Sequence, residues 1–339
     1  MACGLLLAGA LPILTVSGCD RRPDAGPAEL RVVGEFEPPG EGYLWAPVDV
    51  ESAGDVVWVL DAGAGQAFAY DSRGRYRRTI GRKGPGPGEL RDPLALGIVG
   101  DTLWILNTGN ARVEYFSTEG RPLGSEPLPD SLPTPVDLVR WKGAFIGALP
   151  FGTFPLVRFG GTTPPALFGA ELDRRARELT SAGRIPSVYR LGVIEGELWV
   201  AHLYLPLVAV FEAPDRPGRI LEYAAPDVGR SEAGYEGGPD RRRWVVKAPP
   251  RPAGGLGFLQ LDRTYLLTHR RGEDGRQVLV WWPAEGRPGR TVLGPPGLLL
   301  VAASRAGDRS YVVGARGETE EPVALIVETG APLESDAPR

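Results

Sequence analysis

Side chains able to do acid–base or metal chemistry are sparse in this chain. Its 339 residues hold two histidines, His202 and His269, and two cysteines, Cys3 and Cys19, both near the start. A zinc centre needs three or four His, Cys, Asp or Glu ligands in one shell. Two histidines without a second His/Asp/Glu cluster do not supply such a set, so no metal and no cofactor are expected. G-x-S-x-G, H-E-x-x-H and EF-hand patterns are all missing, so no catalytic residue is assigned. The stretch GRKGPGPGEL (81–90) is glycine-rich like a phosphate cradle. Yet Lys83 is followed by Gly84 rather than Ser or Thr, and Pro85 and Pro87 each remove a backbone N–H that a cradle needs. It reads as a turn between strands.

One polar position does recur. Asp61, Asn107 and His202 each stand three residues after a tryptophan (Trp58, Trp104, Trp199), and Thr268 stands three after Tyr265. Two readings fit. Each side chain caps its strand and satisfies turn amides, as Asp and Asn often do. In the sharper reading, the four share one level around an axis and form the polar floor of a ligand-binding mouth. His202 would then be the group able to exchange a proton near neutral pH.

The elements that position these residues come from a repeat. PVDVESAGDVVWVLDAGAGQAFAYDSRGR from Pro47 aligns without a gap on PLALGIVGDTLWILNTGNARVEYFSTEGR from Pro93. Pro, Asp, Trp, Leu, an aromatic and Gly all recur at a separation of 46 residues. Each unit alternates short apolar strands with Gly-based turns, the size of a propeller blade. Weaker copies place Ile146, Trp199, Tyr265 and Tyr311 at the tryptophan position, which gives six units. The repeated tryptophans are expected in the core between neighbouring units, while Trp281 and Trp282 fall outside the register. AELRVVGEFE (28–37) is one strand too many for the first unit and is expected to complete the last, closing the ring and hiding its edges.

Two segments break the rhythm. Within 169–183, Leu172, Ala176 and Leu179 share a face and predict a short helix. Residues 224–255 read as a polar loop, and the mixed charges of 232–244 suit either solvent or a docking partner.

Hydrophobic residues make up 42% of the chain, ample for a core, and the net charge of −4 points to no nucleic-acid surface. Gly (47) and Pro (34) lie between apolar runs, as many short strands joined by turns require. With both cysteines at the N-terminus, no disulfide staples the domain.

The N-terminus carries an address. GLLLAGALPILTVSG (4–18) is apolar and of signal-peptide length, and it ends in V-S-G-C before a polar run. This resembles a bacterial lipobox, which implies cleavage after Gly18, lipidation of Cys19 and stable anchoring through several acyl chains. No Lys or Arg precedes the apolar run, so an ordinary leader with a chance cysteine remains the other reading. GRKGPGPGELRDPLALGIVGDTLWILNTGNARVEYFSTEG (81–120) is similar to an NHL repeat, with its G-x-G-P-G-E-L entry and N-x-G-N-x-R-V body. The resemblance is good there, recognisable over 47–80 and faint elsewhere.

The expectation is therefore an all-β, six-bladed β-propeller spanning 28–330, with an N-terminal strand closing the last blade. A signal peptide (1–18) and a lipidated tether (19–27) precede it, and a tail (331–339) follows. A rigid ring with variable loops on both faces suits binding, so the expected function is a binding module anchored to the bacterial envelope, its partners the membrane through Cys19 and a protein or small-molecule ligand. The alternative is a metal-dependent hydrolase or lyase with its site at the central channel.

Overall fold

The computed structural model describes residues 28–150, 152–160, 164–179, 188–214, 216, 218–222, 232–236, 243–247, 255–260, 264–271, 274–281, 291–317 and 319–329. The signal peptide, Cys19, the tether, the tail, Trp282 and the side chains of His269, Tyr265 and Trp281 lie outside that description.

Strand β1 (Ala28–Glu35) comes first. A four-stranded antiparallel sheet follows: β2 (Pro47–Ala53), β3 (Val56–Asp61), β4 (Gln66–Asp71) and β5 (Tyr76–Ile80). Two short strands, β6 (Arg82–Lys83) and β7 (Glu89–Leu90), pair in parallel across the next connection. The second sheet is β8 (Pro93–Val99), β9 (Thr102–Asn107), β10 (Arg112–Ser117) and β11 (Pro122–Pro127). The third is β12 (Asp137–Trp141), β13 (Ala144–Ala148), β14 (Leu156–Phe159) and β15 (Ala166–Phe168). Helix α1 (Ala170–Glu178) leads to the fourth: β16 (Tyr189–Ile194), β17 (Glu197–His202), β18 (Leu207–Phe211) and β19 (Arg219–Glu222).

Strands β20 (Glu232–Glu236) and β21 (Arg243–Lys247) form an antiparallel hairpin inside the segment read as a polar loop. Strand-forming residues in EAGYE and RWVVK had been masked by the surrounding charges. Then come β22 (Gly255–Gln260), β23 (Thr264–Arg271), β24 (Gln277–Trp281) and β25 (Thr291–Leu293). The chain finishes on β26 (Leu298–Ala306), β27 (Arg309–Arg316) and β28 (Glu321–Thr329).

These last strands and β1 make one continuous eight-stranded sheet, ordered β22-β23-β24-β25-β1-β28-β27-β26. The register explains the merger. β1 pairs antiparallel with β28 from Leu30↔Thr329 onward, and Ala28 and Glu29 precede that pairing. Their backbone groups pair in parallel with Val292 and Leu293 of β25 instead of remaining open. The first and last described strands thus meet in one sheet.

Hairpin chemistry sets the first turn of each early sheet. Gly54 and Gly100 take φ of 61° and 58° ahead of an Asp, whereas Lys142-Gly143 and Glu195-Gly196 are positive at both positions. Such two-residue turns match the twist of the strands they join.

The first strands form the axis. β2 packs on β8, β8 on β12, β12 on β16, β16 on β22, β22 on β26, and β26 back on β2. The second strands carry the repeated aromatic, which fills the space between one sheet and the next. Trp58 packs with Leu96 and Ile105, Ile146 with Tyr189 and Leu198, Trp199 with Leu266, and Tyr311 with Val50 and Tyr70. The predicted helix forms as α1 and buries Leu172 and Ala176, with Leu179 against the same cluster. This is an all-β propeller, its sheets arranged around a common axis.

Candidate functional site

The four polar residues singled out in the sequence do occupy one register position. Asp61, Asn107 and His202 end β3, β9 and β17, and Thr268 lies in β23 opposite the first residue of β22. All four are buried, and each makes its side-chain hydrogen bonds to backbone. Asp61 accepts hydrogen bonds from the amides of Trp45 (2.6 Å), Ala46 (3.1 Å) and Ala64 (2.9 Å). Asn107 accepts from the Arg91 amide at 2.7 Å and donates to the Glu89 carbonyl at 2.8 Å. Thr268 donates to the Val278 carbonyl at 2.6 Å.

His202 Nδ1 accepts from the amides of Tyr204 (3.0 Å) and Leu205 (3.2 Å), so the ring is neutral with its proton on Nε2. Burial pushes its pKa down to about 3. The reading of His202 as a proton exchanger near pH 7 is therefore corrected: desolvation and two incoming N–H bonds both oppose the imidazolium. None of the four lines the axial cavity described below. They stand on second strands, one strand removed from the axis; Asp61 and Asn107 hold the segments that lead into β2 and β8, His202 holds the turn between β17 and β18, and Thr268 ties β23 to β24.

Residues 81–90 are likewise built inward. Glu89 accepts from the Gly86 amide (2.7 Å) and from Arg82 Nε (2.8 Å), and the Gly84 amide donates to the Leu90 carbonyl (3.1 Å). Asn110 Nδ2 donates to the carbonyls of Gly84 (2.9 Å) and Glu89 (3.2 Å), while Arg112 reaches those of Pro85 and Gly86. The amides of Gly84, Gly86 and Glu89 are therefore satisfied within the loop, and the stretch is a connection held by the next sheet's Asn107, Asn110 and Arg112.

The cavity lies on the axis. The inner strands β2, β8, β12, β16, β22 and β26 enclose about 330 Å³. Its polar lining was not singled out in the sequence: Asp49 and Glu51 of β2, Asp137 of β12 and Arg190 of β16. Asp49 Oδ1 accepts from Val50 N (2.9 Å) and Oδ2 from Leu96 N (2.8 Å), which ties β2 to β8. Asp137 repeats the device, accepting from Leu138 N and Leu191 N at 2.8 Å each, which ties β12 to β16. A signal for this pair existed, since Pro-Val-Asp occurs both at 47–49 and at 135–137.

Glu51 and Arg190 differ from the two aspartates. Glu51 gains no hydrogen bond, and burial, then the charge of Asp49, lifts its carboxyl to about 8. Arg190 Nε is buried without a hydrogen-bond partner. Burial also raises Asp49 to about 7 against its two amide bonds, with Asp137 pushing the same way and Arg190 opposing. Asp137 is raised by burial, with Arg190 pulling it back. Aromatic faces complete the lining. A Cβ at Gly97 would meet Trp104 at 2.2 Å and one at Gly192 would meet Phe258 at 2.8 Å, so both glycines make room for rings.

Among the described residues no group of three or more His, Cys, Asp or Glu is placed to hold a metal ion. No described helix is long and apolar enough to cross a membrane.

Against known proteins, no family model matches the chain and no curated protein is detectably similar. Solved structures do match. A protein of Bacteroides fragilis NCTC 9343 described as exported aligns with a TM-score of 0.57 at 10% identity, over 91% of this chain and 97% of that one. A DUF4221 family member from Bacteroides vulgatus gives 0.61 at 6% identity, over 90% and 100%. Virginiamycin B lyase from Staphylococcus aureus gives 0.51 at 12% identity, over 91% and 90%. At such identities the likeness carries the fold alone. Architecture and matches together define the class, a β-propeller protein.

Proposed function

We propose that this protein is a six-bladed, NHL-like propeller held at the bacterial envelope by a lipidated Cys19, and that it binds a ligand in its axial channel. Six blades are supported by the inner strands, which pack in sequence and return to β2, and by β1 lying beside β28 as the outermost strand of the final unit. The NHL-like reading is supported by Asn107, Asn110 and Arg112, the residues of the N-x-G-N-x-R body, bracing the Gly-Pro-rich entry that precedes them. The V-S-G-C sequence at 16–19 supports the anchor, and the likeness to an exported protein agrees with it.

One observation carries the binding reading. The axial cavity, of a size that suits a small molecule, collects a carboxyl group and a guanidinium nitrogen that find no hydrogen-bond partner in the fold. Of the two, Arg190 Nε is the fully buried one; a buried polar group left unpaired costs about 1–3 kcal/mol, and a site that waits for a ligand accounts for that expense. Ser304 lines the cavity, its hydroxyl bonded to that of Ser52 at 2.8 Å, and Ser304→Trp would fill it. The test is a small-molecule screen by thermal shift on the wild type and on that variant. Hits lost in the variant, with its own melting temperature close to the wild type, support channel binding; hits retained in it refute it.

The anchor has a separate test. In a diderm host the protein should incorporate a fatty-acid probe and sediment with membranes, and Cys19→Ala should abolish both. Equal labelling of the variant would sink this half of the reading.

A further inference from the structure

The chemistry of the axial cavity narrows its ligand, given the channel-binding reading above. Asp49 and Asp137 each have both carboxylate oxygens engaged by amides of adjacent strands, so they are fixed in place and serve first as stitches between sheets. What remains for a visitor is one acid and one base. Glu51 projects from β2 with no hydrogen bond, and Arg190 projects from β16 with its Nε sealed and unpartnered. Trp104 is 4% exposed, lines the same cavity, and its indole Nε1 likewise has no acceptor. Two donors without acceptors, from Trp104 and Arg190, together with a carboxyl that has no hydrogen bond, do not fit a simple anion or a simple cation. Trp104 and Phe258 add aromatic surface to the lining, which also favours an ammonium group.

We infer that the channel holds a small dipolar ligand carrying both an ammonium and a carboxylate, an amino acid or short peptide, with its carboxylate on Arg190 and its ammonium at Glu51. A guanidinium–carboxylate pair is bidentate and strong, and here it would satisfy a buried donor that the fold leaves open. A metal ion is the weaker occupant, because each oxygen of the two aspartates already accepts an amide and the described residues form no metal-holding group.

The protonation of the wall agrees with a cationic end. Glu51 and Asp49 keep a proton into the neutral range, to about 8 and about 7. An arriving ammonium displaces protons there, so affinity should tighten as pH rises from 6 to 8. Asp137, Arg190 and the mouth residues Arg140 and Arg305 share this wall; both mouth arginines donate to backbone carbonyls, of Gly143 at 3.1 Å and Gly307 at 2.9 Å.

The experiment is calorimetric titration of the full chain with each free standard amino acid and with alanyl-alanine. For any that bind, the N-acetyl derivative removes the ammonium and the methyl ester removes the carboxylate. The expected result is binding by at least one free compound, lost by about tenfold or more in both derivatives. Arg190→Gln should then weaken the free compound while leaving the ester unchanged, and Glu51→Gln should weaken it while leaving the N-acetyl form unchanged. A blocked derivative binding as tightly as its parent overturns the proposal without needing any variant. If no amino acid or dipeptide binds, while some other compound binds and is lost in Ser304→Trp, the dipolar ligand is refuted and the channel reading survives. If nothing binds in any such way, both fall.

Discussion

Two sets of polar residues recur around this propeller, and they differ in what they are bonded to. At the ends of the second strands, Asp61, Asn107 and His202 accept six backbone N–H bonds among them, three, one and two in turn. On the inner strands, Asp49 and Asp137 are stitched to their neighbours, yet Glu51, two residues along β2 from Asp49, and Arg190, on the strand next to that of Asp137, are not. Both sets look alike in sequence, as polar positions inside apolar strands. The distinction is satisfaction. A buried group whose bonds are complete explains the fold, and a group whose bonds are incomplete points beyond it.

The largest effect that would break this comparison belongs to Asp61. Asp61→Ala strips an acceptor from three amides at once, those of Trp45, Ala46 and Ala64. We expect about 3 kcal/mol of lost stability, since each amide left dry costs on the order of 1 kcal/mol or more. Any compound that binds the channel should bind the folded variant as before. Denaturant unfolding and the calorimetric titration read the two halves; unchanged stability with lost binding would move Asp61 from scaffold to site.

His202 sharpens the same comparison through pH. In the unfolded chain its imidazole takes a proton near 6.5, whereas in the fold it resists protonation until about 3. The unfolded state therefore binds more protons across that window, and stability falls as pH drops from 6.5 toward 3, by up to about 1.4 kcal/mol per unit. His202→Asn keeps an acceptor for Tyr204 and Leu205 but cannot titrate. It should start less stable at pH 7, having lost the ring contact with Tyr189 (4.9 Å between centroids), and then lose about 2 kcal/mol less than the wild type on going to pH 5. Parallel losses in the two proteins would mean that His202 is not the residue responsible.

Much of the fold was legible because the repeat writes it twice in strong form. Trp58 and Trp104 sit on β3 and β9 at matching steps, and the weak copies fall where the spacing put them, Trp199 on β17 and Tyr311 on β27. The parallel contact of Ala28 and Glu29 with β25 was not legible, because β25 belongs to a different unit of the repeat and no sequence pattern pairs it with β1. Nor was the channel. Asp49 and Asp137 share the Pro-Val-Asp signature, but Arg190 comes from a unit that lacks it, and Glu51 has Gly97, Val139 and Gly192 as its counterparts on the following inner strands. A pattern search rewards positions that stay similar from unit to unit. A binding site in a ring of unlike blades is made of the positions that differ, and only closure of the ring brings those differences face to face.

The smallest effect is also the one that separates the two polar sets most directly. Replacing a satisfied cap must cost stability, whereas replacing an unsatisfied channel acid need not. Glu51 is raised to about 8 from an ordinary value of 4.5, chiefly by burial and then by the charge of Asp49. An acid whose folded pKa is raised works against the fold once it ionises. The unfolded chain gives up its proton near 4.5, the folded one holds it to about 8, and stability therefore declines as pH climbs through that interval. Glu51→Gln removes the titration and keeps the shape. At pH 5, where both side chains are neutral in the fold, the two proteins should unfold at nearly the same denaturant concentration. At pH 9 the variant should be the more stable by about 1 kcal/mol, a figure held below the full linkage value because the side chain keeps some solvent contact. A variant less stable than the wild type at both pH values would show that Glu51 is a cap like Asp61, bonded within the fold, and the contrast between the two rings would collapse.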